Sequence, residues 1–131
     1  MYLVDTNIWL ERLLNQEKSE EVGKFLDNIS SGDLYVTDFT FHSIGLILCR
    51  LNQKKVLLQF IQDVFIDGAV NLVHLEPTDI KYLMKVMDEF VLDFDDAYQY
   101  VAAEKYGLTI ISFDSDFDRT RRGKKTPIEI L

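Results

Sequence analysis

The runs "YLVD" (2–5) and "LTIISFD" (108–114) each carry strand-forming residues straight into an aspartate. A continuous apolar run of this length reads as a strand buried on both faces, as in parallel sheets. A carboxylate does not follow such a run into the core, so each aspartate should stand where its strand leaves the sheet. "LYVT" (34–37) and "VNLVHL" (70–75) read as two more strands. Helices are expected from Thr6 or Asn7 to about Leu14, over 19–32 ending at Gly32, and from Asp38 with Phe41, Ile44, Leu48 and Leu51 at helical spacing. Three more are expected over 54–68, from Pro77 to about Phe90, and over 95–107. "PIEIL" (127–131) reads as a closing edge strand, a place that tolerates its proline. Strands alternating with helices define an α/β class with a mostly parallel sheet. At 131 residues the expectation is one domain spanning 1–131.

Ligand sites in such sheets form beyond the carboxyl ends of the strands. Asp5 and Asp114 should emerge there together. Asp96 opens the helix that feeds the Asp114 strand, flanked by Asp93 and Asp95, and Asp116 lies two residues past Asp114. Crowded carboxylates repel unless protons or cations intervene, and hard divalent ions favour oxygen ligands. His42 and His74 lack metal-ligand spacing, and the single cysteine, Cys49, sits in an apolar run where a buried thiol is expected. A second reading of the same acids is structural: Asp5 as a helix cap, Asp95 and Asp96 as complements to a helix dipole, and 114–118 as turn chemistry.

The 22 acidic and 14 basic residues give a net charge of −8. That argues against coating nucleic acid by general electrostatics. No apolar run is long enough for a bilayer and no secretory leader is visible, so no membrane contact and a cytoplasmic location are expected.

The "VDTNIWL" start and the block "DDAYQYVAAEKYGLTIISFDSDF" together resemble PIN domains, of which VapC-type toxin ribonucleases are common members. The resemblance implies a three-layer α/β/α sandwich with a mostly parallel five-stranded sheet, in the order 3-2-1-4-5. It implies a Mg²⁺- or Mn²⁺-dependent ribonuclease, with metal held by Asp5, Asp96 and Asp114 as catalytic residues and Asp116 as an accessory ligand. Asn7 and Ser112 match polar residues that orient the first aspartate. It further implies hydrolysis leaving a 5′-phosphate and a 3′-hydroxyl, a homodimer, and an antitoxin partner that covers the site. One position departs: the family usually carries a glutamate in the helix after the second strand. Ser43 stands there, and no glutamate occurs in residues 22–75. A catalytically weak scaffold binding RNA or protein is therefore the alternative. A haloacid-dehalogenase-type phosphatase is disfavoured, because Asn7 replaces the second aspartate that class needs.

Five cations, Arg119, Arg121, Arg122, Lys124 and Lys125, follow the last aspartates. A flexible loop there would hold RNA phosphates, or else serve as a solvated guard on the edge strand.

Overall fold

A computed structural model describes all residues, 1–131. The strands are β1 (Tyr2–Val4), β2 (Leu34–Thr37), β3 (Asn71–Val73) and β4 (Thr109–Ile111), all parallel in the order β3-β2-β1-β4. The helices are α1 (Thr6–Leu13), α2 (Ser19–Asn28), α3 (Asp38–Arg50), α4 (Lys54–Ile61), α5 (Ile80–Phe90), α6 (Phe94–Tyr106) and α7 (Pro127–Ile130).

Strand side chains alternate between faces, and the core divides accordingly. Leu3 and Ile110 pack with Leu83, Val86, Tyr100 and Val101 of α5 and α6. Val4 and Ile111, their neighbours in sequence, pack on the other face with Ile8, Trp9, Val22, Phe25, Ile44 and Phe60 of α1 to α4. The result is a three-layer α/β/α sandwich. Trp9 is buried edge-on to Phe60, with ring centroids 5.4 Å apart.

Four strands form rather than five. The tail contributes one parallel bridge beside β4, Ile111 to Lys125, with Lys125 N–H donating to the Ile110 carbonyl and Ser112 N–H to that of Lys125. The residues after it, 127–131, are not an edge strand: Pro127–Ile130 is a helical turn. Thr126 and Glu129 form a capping box and Pro127 takes the first helical position, so local hydrogen bonding outweighs the β-branched residues. The helix expected over 54–68 is α4 followed by a π-helical turn, Gln62–Ile66. Cys49 is exposed, because the buried face of α3 is set by Thr40, Ile44 and Leu48.

β1 lies between β2 and β4. The chain runs outward from β1 to β2 and β3, then returns to the other side of β1 as β4. That reversal opens a crevice beyond the carboxyl ends of β1 and β4.

Candidate functional site

Register fixes the first part of the site. Val4 pairs with Ile111, and the Asp5 N–H donates to the Ile111 carbonyl at 2.9 Å. Continuing that register sets Asp5 beside Ser112. The Ser112 hydroxyl donates to Asp5 Oδ2 at 2.7 Å and accepts from the Asp114 N–H at 3.0 Å. Asn7 donates to the same hydroxyl and accepts from the Phe113 N–H, both at 3.2 Å. Asn7 and Ser112 thus tie the β1 exit to the β4 exit.

The other oxygen of Asp5 accepts from the Thr6 N–H at 2.8 Å and from Gln99 Nε2 at 2.9 Å. Asp5 is therefore both the N-cap of α1 and a buried carboxylate inside a polar network. Burial pushes its pKa up, while the bonds from Gln99 and Ser112 pull it back.

Asp96 reaches the cleft from the first turn of α6, which Asp93 caps by accepting from the Asp96 N–H. Asp114 caps the 3₁₀ turn Ser115–Arg119 by accepting from the Asp116 N–H at 2.8 Å. These turns bring one oxygen each of Asp96, Asp114 and Asp116 within 4.8 Å of one another. Asp5 stands outside that trio but lines the same cleft, of about 390 Å³, with Asp93, Asp95, Asn7, Phe39 and Ser43. Desolvation first, then the charges of Asp114, Asp93, Asp5 and Asp116, push the Asp96 carboxyl up to about 7. An all-oxygen, half-buried set whose mutual repulsion is offset within the chain only at Asp116, by Arg119, fits a hard divalent cation. Ser43 adds a hydroxyl to the wall and no charge.

Gln99 was not singled out in the sequence, yet it organises the site's floor. Buried, it donates to Asp5 and to Thr40 Oγ1 (2.8 Å) and accepts from Thr37 Oγ1 (2.6 Å). The signal available was an amide one turn after Asp96, on the apolar side of α6.

The basic tail does not dangle. Arg119 donates to Asp116 (3.0 Å) and to the carbonyls of Phe90 and Val91. Arg121 pairs with Glu89 at 2.9 Å, Arg122 donates to the Leu108 carbonyl, and Lys124 lies 3.4 Å from Asp118. Lys125 is exposed and is held through its backbone.

Residues 2–123 match the PIN domain family, and the chain belongs to that family. Among solved structures it is similar to a toxin–antitoxin complex from Klebsiella pneumoniae, at 18% identity and TM-score 0.77, covering 97% of this chain and 98% of that one. It is also similar to VapC20 of Mycobacterium tuberculosis, described as a sarcin–ricin loop cleaving toxin. There the identity is 14% and the TM-score 0.76, over 90% of this chain and 93% of that one. A third is FitAcB from Neisseria gonorrhoeae, at 22% identity and TM-score 0.77 over 98% and 99%. No curated protein sequence gives a significant match.

Proposed function

We propose that this chain is a metal-dependent endoribonuclease and the toxin of a toxin–antitoxin pair. The observation behind it is the convergence of Asp96, Asp114 and Asp116 beside buried Asp5, at the crevice of a PIN fold. Oxygen ligands alone suit Mg²⁺ or Mn²⁺. Such an ion, when bound, supplies an acidified water and neutralises charge on a phosphodiester.

The chain's own residues do the rest. Asp96, Asp114 and Asp116 would hold the ion. Asp5, pinned by Gln99 and Ser112, sets the negative field behind it and has no freedom to turn away. The hydrogen bonds from Ser112 and Asn7 keep the Asp114 turn in register with Asp5. Exposed ion pairs such as Arg121–Glu89 are weak because solvent screens them, so substrate phosphate can exchange into them. Within the same proposal, Lys125 and the four arginine and lysine neighbours guide RNA toward the cleft. A homodimer, a cognate antitoxin and a cytoplasmic site of action complete it; the similar structures include toxins and a toxin–antitoxin complex.

Ser43 favours a second reading, a scaffold that binds RNA without cutting it. Purified protein incubated with assorted RNAs and Mn²⁺ separates the two. The nuclease reading expects cleavage that falls by about 100-fold or more in Asp5→Asn, Asp96→Asn and Asp114→Asn. RNA binding with no cleavage selects the scaffold. Equal cleavage by all three variants overturns the site.

A further inference from the structure

The cleft has an aromatic border that the metal reading does not use. Phe39 lines the cleft. Its ring centroid lies 6.4 Å from that of Tyr98, and Tyr98 lies 6.3 Å from Phe94. The three rings form a row from the cleft to solvent. At its outer end Phe94 is 44% exposed.

Phe94 is the first residue of α6, between Asp93 and Asp95. A large apolar ring among carboxylates at a solvent edge adds little to the core. It is nonetheless well held: Tyr98, one turn further along α6, backs it. Tyr98 in turn is fixed at its hydroxyl, which donates to Asp38 (2.8 Å) and accepts from the Leu75 N–H (3.0 Å). A backed, exposed ring is a preorganised surface.

Electrostatics narrows what that surface takes. Asp5, Asp93, Asp95, Asp96, Asp114 and Asp116 surround the cleft, so phosphates gain nothing from its walls without a cation. At the cleft wall itself, away from the cation and the basic tail, affinity for a nucleic acid comes from groups that ignore its charge. Base–aromatic stacking does so, because every base offers a flat, neutral face. Phe94, Tyr98 and Asp96 share the first turns of α6, so a stacked base and the phosphodiester at the acids are held in one rigid frame.

We propose that Phe94, backed by Tyr98 and continued into the cleft by Phe39, is a stacking ledge for an unpaired base of the RNA next to the scissile phosphodiester. The proposal rests on the nuclease reading and adds to it a base contact beside the cleavage point, made by Phe94.

The test uses a single-stranded oligoribonucleotide that the wild-type protein cleaves in Mn²⁺, and copies with one abasic residue moved along it. Phe94→Ala should raise KM about tenfold, in line with the loss of one stacked base, with the loss falling in KM rather than kcat. Phe94→Trp should restore it. One abasic position should weaken the wild type by a similar factor and cost Phe94→Ala little more. An unchanged KM in Phe94→Ala, or abasic effects that are the same in both proteins, overturns the ledge while leaving the nuclease standing. A sedimentation shift from dimer to monomer in Phe94→Ala, with a loss that ignores abasic position, overturns it in favour of a protein contact. A wild type that cleaves no RNA removes the nuclease reading and the ledge together, and is told apart by that alone.

Discussion

With Oε1 accepting from Thr37 and both Nε2 protons donated to Asp5 and Thr40, Gln99 has every polar atom of its side chain engaged. Its partners are buried too, so removing it strands them. Gln99→Leu keeps the volume and should lower the unfolding free energy by about 2–3 kcal/mol, read from urea denaturation; an unchanged midpoint would show that the network is not held from α6. Protons are the second residue-scale handle. Asp5 and Asp96 both have raised pKa values in the folded, metal-free chain, Asp96 near 7 against an ordinary 3.8. Between those values the folded state binds more protons than the unfolded one, so stability falls as pH rises through that window. The melting temperature in chelator should therefore drop from pH 5 to pH 7.5, and Mn²⁺ should restore it at the upper end. A melting temperature that climbs over that range would contradict the clustering of charge. The aspartates were legible because strand ends and helix starts can be read from apolar pattern. Gln99 was not, since a buried amide inside a helix looks like any polar residue until its partners, more than 58 positions away in sequence, are brought beside it.

At the scale of elements, α5 stops at Val91, whose φ of 54° lies in the left-handed region while 73% of the residue is exposed. A β-branched residue pays about 1–2 kcal/mol for that conformation, and glycine does not. Arg119 steadies the turn by donating to the Phe90 and Val91 carbonyls, which joins the end of α5 to the turn that carries Asp116. Val91→Gly should raise the melting temperature by about 3 °C after allowing for glycine's extra freedom in the unfolded chain, as followed by circular dichroism. A lower melting temperature would mean that the valine side chain contributes packing here. The next helix, α6, ends at Gly107, with φ of 67°, where the left-handed cap is free of strain. Most helices were legible from such punctuation. The tail was misread because "TPIEIL" contains both β-branched residues and a capping box. Four residues are too few for a hydrophobic period to arbitrate, and the Thr126–Glu129 pair decides for the helix.

For the whole molecule, alternation of strand and helix led to the parallel sheet, the resemblance to PIN domains implied the three layers, and the two separate cores on Leu3 and Val4 bear both out. What alternation does not specify is where the sheet ends. The fifth strand shrinks to a single bridge at Lys125, since the tail leaves the edge almost at once to turn into α7. The position of the cleft was legible for a topological reason: with β1 central, acids leaving β1 and β4 have one shared edge to occupy. The basic tail was legible as composition only. Its exposure to solvent depended on partners such as Glu89, Asp118 and the Leu108 carbonyl, which no local pattern announces.

On the proposed reading, Asp96, Asp114 and Asp116 close around one divalent ion beside Asp5. Titrating Mn²⁺ into the protein in a calorimeter at pH 7.5 tests it directly. Saturable binding at one ion per chain is expected, weakened about tenfold or more in Asp114→Asn. Heats that never saturate, or an Asp114→Asn isotherm that overlays the wild type, would contradict it.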